Sequence, residues 1–240
     1  MKRLFNANNF VLFVFLTFIA STVYVAVRIV VAPSAASAAD SAMQIKSDYV
    51  VLLFECVFGV VAMLLPGFLK RNIKLSIPSA MVIAYAAFIF CAIYLAEVRS
   101  FYNTVPHWDT ILHTFSGAAI GALGFSIVSI LNDSETTVFT LSPFFVALFA
   151  FCFALALGVI WEFYEYTIDG IFDFNMQTYA LESGEPLIGR AALIDTMKDL
   201  IVDAVGALVI SIAGYISLKR NKGWVKEFQI TRIIKRSRPD

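Results

Sequence analysis

The 240 residues predict an all-α fold: a polytopic transmembrane bundle of about six helices, N-in and C-in. Three observations carry that prediction. First, the chain is 60% hydrophobic and 15% charged, where soluble domains sit near roughly 45–50% and about 25%. Second, the apolar residues come in runs of about 20, the length that crosses roughly 30 Å of hydrocarbon as helix. A transmembrane β-barrel would alternate apolar and polar residues in segments of about ten, a pattern absent here. Third, lysine and arginine are strongly sided along the chain.

The hydrophobic runs place spans at 10–32, 49–69, 78–97, 108–131, 143–168 and 195–218 within one domain covering 1–240. Pro33, Pro78 and Pro143 fall at span edges, where a missing N–H does least damage to helical hydrogen bonding. Pro66 lies near the end of the second span and is expected to bend its last turn. Trp108, Trp161, Tyr164 and Tyr166 suit the headgroup level, where an aromatic ring buries its body and keeps its polar edge wet. The start also has features of a secretory signal: Met1-Lys2-Arg3, an apolar stretch, then small residues at 35–39. The length of that stretch and Arg28 near its far end favour a retained first span. The three cysteines, Cys56, Cys91 and Cys152, sit in apolar runs without a C-x-x-C pair and are expected to pack as small apolar residues.

Lysine and arginine set the orientation. With a cytoplasmic N-terminus the inner segments hold Lys2, Arg3, Lys70, Arg71, Lys74 and eight basic residues from Lys219 to Arg238, or 13 of 18. Only Asp133, Glu135, Glu227 and Asp240 among the 18 acids fall on that side. The inner side therefore sums to 13 − 4 = +9 and the outer to 5 − 14 = −9, so a net charge of zero conceals two opposed poles. The basic tail at 219–240 reads as a solvated cytoplasmic segment or as a contact with anionic lipid headgroups. No nucleic-acid partner is expected.

Depth then selects candidates for chemistry. No span carries an ionisable residue in its inner half; the outer halves hold Arg28, Glu55, Glu97, Asp109, His113, Glu162, Glu165, Asp195, Lys198, Asp199 and Asp203. Asp109 and His113 are i, i+4, and Glu162 and Glu165 are i, i+3 with Asp169 continuing the stripe. Asp195, Asp199 and Asp203 repeat every four residues and descend about 12 Å at 1.5 Å per residue. A charge at the bilayer centre costs about 2.5–3.5 kcal/mol on insertion scales, and crowded carboxylates must take up protons or bind cations. These stripes are therefore expected to face a shared polar interior rather than lipid. Gly117-x-x-x-Gly121, one turn below His113, and Gly206, after Asp203, permit close helix approach.

The same stripes carry a family resemblance. Trp108-Asp109-Thr110-Ile111-Leu112-His113 followed by Gly117 resembles the D-x-x-x-H-x-x-x-G signature of VanZ-like and YjdF-type bacterial membrane proteins. Trp161-Glu162-Phe163-Tyr164-Glu165 resembles their W-E-x-x-E element, and Asp195 through Ala207 their D-T-x-x-D-L-x-x-D-x-x-G-A helix. Asn175-Met176-Gln177 is similar to their short loop motif. The resemblance spans the fourth to sixth helices and implies an integral membrane protein. Some VanZ-like members are linked to glycopeptide-antibiotic tolerance, which supplies no substrate.

One histidine among several carboxylates suits Mg²⁺, Mn²⁺ or Ca²⁺ better than Zn²⁺. Asp109, His113, Glu162, Glu165 and Asp199 are the candidate ligands, and Asp195 or Asp203 the catalytic base or a residue supporting the ligands. Glu55, Arg28 and Lys198 complete the polar cluster. Three functions stand: a divalent-metal hydrolase or transferase acting on a lipid-linked or envelope substrate at the extracytoplasmic face of the cell membrane, a binding or transport protein for a cation or cationic solute, and a scaffold whose polar groups only join helices. The segment at 170–194, with Phe172, Phe174, Met176 and Tyr179, is expected either to close over the cluster as a lid or to press into the interface.

Overall fold

The computed structural model describes residues 7–34, 44–132, 141–172, 174–181, 183–220 and 229–232. The small-residue run at 35–39, Lys2, Arg3, the acids Asp133, Glu135, Glu227 and Asp240, and most of the basic tail lie outside them. In chain order the elements are α1 (Ala7–Val31), α2 (Lys46–Phe68), β1 (Leu75–Ser76), α3 (Ser79–Ile89), a short α4 (Phe101–Thr104), α5 (Trp108–Asn132), α6 (Pro143–Phe172), α7 (Arg190–Lys219) and β2 (Thr231–Arg232). Two helices run on as wider π-helical turns, α2 through Leu69–Ile73 and α3 through Phe90–Val98. Among the described residues, six helical segments are long and apolar enough to cross a membrane, as the hydrophobic runs predicted.

The helix ends follow from local chemistry. The Asp48 carboxylate accepts the Ile45 N–H (2.8 Å), giving α2 an N-terminal cap. Pro143 opens α6, where its missing N–H would be unpaired anyway, and the Ser142 hydroxyl accepts the Phe145 N–H at 3.2 Å. At the polar ends the helices outrun the apolar stretches: α6 continues from the expected 168 to Phe172, and α7 begins at Arg190 rather than 195. A hydropathy window stops at the first charges. Backbone hydrogen bonding does not, because charged side chains near an interface leave the helical ladder intact.

Pro66 interrupts the hydrogen-bond ladder near the end of α2. It has no N–H to offer the Ala62 carbonyl, and the Tyr85 hydroxyl of α3 donates to that oxygen instead, at 2.9 Å. The π-helical turn follows directly, and the helix stops at Lys74 in the left-handed region (φ 60°). The following β1 pairs antiparallel with β2, Leu75 opposite Arg232.

The chain divides into two compact units, Met1–Trp108 with Thr231–Asp240, and Asp109–Ile230. In the first, Val14, Phe18, Met63, Ala86, Ile89 and Ile93 form one apolar cluster, and Val25, Tyr49 and Cys56 another. The first apolar stretch is therefore built into a core, with Val14, Phe18 and Val25 fully buried. Gly59 leaves room for the Phe18 ring: a Cβ there would come within 2.6 Å of it. In the second unit, Phe125, Val128, Val146, Ala147 and Ala150 form an apolar cluster at one end of the helices. Outer faces remain apolar throughout, with Phe54, Phe58, Phe163 and Val209 each around 60–70% exposed. Such surfaces suit contact with lipid chains rather than water.

The cysteines need one correction. Cys56 is buried as expected and Cys91 half-buried, but Cys152 is exposed. The face of α6 at Cys152 is opposite its Ala150–Ala154 stripe, so apolar sequence there meant an outer surface rather than a core. None of the three is in a disulfide.

Candidate functional site

The second unit turns polar at one end. Along α6 the buried face reads Val146, Ala147, Ala150, Ala154, Gly158, then Glu162, Glu165 and Asp169. Along the antiparallel α7 it reads Asp199 and Asp203 first, then Gly206, Ala207, Ser211, Gly214 and Ser217. Both stripes keep the spacing of three and four that holds one helical face inward. Because the helices run in opposite directions, the acids of both fall at the same end. Glu162 (4% exposed), Asp199 (2%) and Asp203 (4%) are as sequestered as core aliphatics.

Glycines set the spacing of α5 against α7. A Cβ on Gly117 would strike the backbone carbonyl of Asp203, and one on Gly206 would strike that of Thr114. The contact is reciprocal, backbone against backbone. Gly121, the second glycine of the G-x-x-x-G, has ordinary clearance, with its nearest neighbour at 3.6 Å. Gly158 of α6 faces the Asp203 carboxylate, whose Oδ2 lies 2.8 Å from where a Cβ would stand. Asp203 thus enters a niche made by glycines on two neighbouring helices.

That niche positions His113. Its Nδ1 lies 3.4 Å from Asp203 Oδ2, and its Nε2 lies 3.5 Å from Asp109 Oδ1, one turn back on α5. The Ser116 hydroxyl sits 2.8 Å from the His113 carbonyl oxygen and 3.0 Å from Asp203 Oδ1, with one proton to share between them. With Nδ1 carrying its proton toward Asp203, Nε2 becomes the free lone pair. Asp109, His113 and Asp199 each offer a ligand atom, all within 4.8 Å of one another. Asp109 Oδ2, Asp199 Oδ1 and Glu162 Oε1 are buried and have no hydrogen-bond partner.

Lys198 is the cation at the group. Its Nζ lies 3.6 Å from Asp109 Oδ2, 3.8 Å from Asp199 Oδ1 and 3.9 Å from Asp195 Oδ1. Its side chain is 37% exposed and that of Asp195 24%, so both belong to the wetter edge. These separations exceed hydrogen-bond distance, which is why the two buried carboxylate oxygens remain without a donor.

Glu162 and Glu165 lie on the same buried face but outside the three-donor group. Glu165 accepts the Trp161 indole N–H at 2.8 Å. Glu162 Oε2 accepts one N–H of Gln177 at 3.1 Å, while the other goes to the Thr196 hydroxyl of α7 at 3.0 Å. Gln177 is a residue that sequence reasoning did not select, as are Thr196 and Ser116. It is held from behind: Asp169 accepts the Met176 N–H at 2.8 Å and the Gln177 N–H at 3.0 Å, and Asn175 exchanges two hydrogen bonds with Ala180. The one signal for this latch was the Asn175-Met176-Gln177 triplet. The segment is drawn in by these polar groups, while Phe172 stays exposed with its ring tilted against that of Phe174.

Arg28 and Glu55 belong to the first unit. The Arg28 guanidinium lies 4.9 Å from the centre of the Tyr49 ring, a cation–π contact that moderates its placement near apolar surface. Glu55 is half-buried on α2, beside the buried Cys56.

Comparison with known proteins gives a family and no activity. A stretch of 136 residues is 27% identical to a protein of Thermotoga maritima described as "Uncharacterized protein", covering 56% of this chain and 62% of that one. The chain therefore spans less than two thirds of that relative. No solved structure matches it. Residues 10–220 match the family described as "Predicted membrane protein (DUF2238)". With all six candidate spans inside or overlapping the matched region, the chain belongs to the DUF2238 family of membrane proteins.

Proposed function

We propose that Asp109, His113 and Asp199 hold a divalent cation, and that the chain is a metal-dependent hydrolase or transferase working on a lipid-linked or envelope substrate. The observation that carries this reading is the convergence of three ligand atoms within 4.8 Å, two of them on carboxylates with an orphaned buried oxygen. Burying a carboxylate oxygen without a donor is costly, and a cation removes that cost. Asp203 supports the reading, because a carboxylate behind the far nitrogen of a histidine fixes which nitrogen binds metal. Two carboxylates and one imidazole favour Mn²⁺ or Mg²⁺, with Ca²⁺ next and thiolate-seeking ions last.

A bound dication would activate water and neutralise charge on a phosphate. Within the chain, Asp195 at the wetter edge takes the role of base, and Asp203 orients His113. The siding of lysine and arginine supports an extracytoplasmic position for this end, and the VanZ-like and YjdF-type resemblance of the same motifs agrees with an envelope role.

A second reading rests on Lys198. An ammonium 3.6–3.9 Å from three carboxylates is also what a helix-joining ion network would contain, with no metal needed. Metal analysis of the purified full chain separates the two. The metal reading predicts close to one divalent ion per chain in the wild type, lost in Asp199→Asn and weakened in Glu162→Gln with helix content unchanged. No ion at any pH, with both variants less stable, would favour the scaffold.

A further inference from the structure

We propose that the first unit carries a site for one anionic phospholipid, whose phosphate head and upper acyl segment enter the cavity among α1, α2 and α3 that Pro66 lines. The cavity has a volume of about 370 Å³, within the range of roughly 300–1,000 Å³ typical of sites for small molecules. Its lining is sorted by depth. Asn8, Lys70 and Ser79 stand at the ends of their helices, and Val11, Met63 and Val82 form apolar wall. Met63 is seven residues deeper than Lys70 on α2, about 10 Å along the axis. A ligand that fits this gradient has a charged head and a hydrocarbon tail parallel to the helices.

The head's sign follows from its surroundings. Among the described residues Lys70, which is exposed, makes no ion pair, and no acidic residue lines the cavity. Arg71 and Lys74 stand within four residues, and the Lys74 ammonium is turned back to the Arg71 carbonyl at 2.6 Å. The β1–β2 pairing brings the backbone of Arg232 to the same end. Basic residues without acids at a membrane surface attract anionic lipid. Pro66 itself lines the cavity, and Tyr85, another lining residue, donates to the Ala62 carbonyl that Pro66 leaves without its helical donor. Gly67 also lines it, and a Cβ built there would meet nothing within 4 Å. A side chain can therefore be added at this lining position without striking protein.

The test is native mass spectrometry of the detergent-purified full chain, titrated separately with dioleoylphosphatidylglycerol, dioleoylphosphatidylcholine and inorganic phosphate. The expected result is one retained phosphatidylglycerol per chain, with phosphatidylcholine bound at least about fivefold more weakly, the ratio expected for one cationic contact at a lipid surface, and no retained phosphate. Lys70→Gln should erase the preference between the two lipids. Gly67→Leu should abolish retention of both while helix content and unfolding temperature stay at wild-type values. Equal retention of both lipids by the wild type, retention of free phosphate alone, or retention unaffected by Gly67→Leu would each overturn the proposal.

Discussion

The two units solve the same packing problem with opposite materials. The largest fully buried side chains of the first are Phe18, Val14, Val25 and Cys56; those of the second are Asp199, Ser126 and Ser217. In lipid the contrast has a clear meaning. Hydrocarbon outside a helix pair is as apolar as leucine, so burying an apolar side chain there gains packing but no transfer from water. The first unit depends on the fit of large side chains, as Phe18 over Gly59 shows. The second depends on small residues that let backbones touch, and on polar groups that find one another inside. A membrane protein gains little from burying Asp199 merely to hold helices, since such contacts are worth roughly 0.6 kcal/mol on average. That small return is a reason to propose a bound cation at the acidic end.

This comparison can be broken by substitutions that exchange the two strategies. The largest effect is expected from Gly117→Leu. The side chain would meet the Asp203 backbone, which cannot rotate away, and the loss should be about 3 kcal/mol or more, read by unfolding in detergent. Gly121→Leu, one turn on with 3.6 Å of clearance, should cost clearly less. Next is Phe18→Ala in the first unit. Its cost should be near 3 kcal/mol, the low end for phenylalanine deletions, because the cavity term remains while the transfer term shrinks in lipid. A loss near 5 kcal/mol would mean that water reaches this core.

Asp203→Asn should lower divalent-ion affinity about 10–100-fold with little change in fold, as loss of the carboxylate behind a metal-binding histidine does elsewhere. Isothermal titration with Mn²⁺ measures it, and an unchanged affinity would remove Asp203 from the site. The smallest effect is Gln177→Ala. Breaking its bonds to Glu162 and Thr196 should cost about 1 kcal/mol and speed amide exchange at Met176 and Gln177.

The sequence carried the six spans because hydrocarbon thickness and helix rise leave few alternatives. It carried the inward faces of α6 and α7 because Glu162, Glu165, Asp169, Asp199 and Asp203 keep helical spacing. It also carried the pairing of His113 with Asp109, a single-helix contact fixed by i, i+4. Contacts between helices were less legible. That Gly117 and Gly206 face each other's helix, and so deliver Asp203 to His113, depends on rotations that no single span encodes. Gln177 was hidden for another reason: its role comes from Asp169 turning the segment back through backbone hydrogen bonds across seven and eight residues, which leave no periodic signal. The π-helical stretches after Pro66 and Ile89 were equally silent, since hydropathy does not register how a backbone ladder is offset.

The central claim is that the acidic end binds a cation rather than merely joining helices. Thermal unfolding of the full chain with and without Mn²⁺ tests it most directly, in the wild type and in Asp199→Leu. The account predicts that Mn²⁺ at 100 times its dissociation constant stabilises the wild type by about 2.7 kcal/mol, and that Asp199→Leu loses this response entirely. A wild type indifferent to Mn²⁺, Mg²⁺ and Ca²⁺, with Asp199→Leu destabilised under all conditions, would contradict it and leave the carboxylates as the fastening of the bundle.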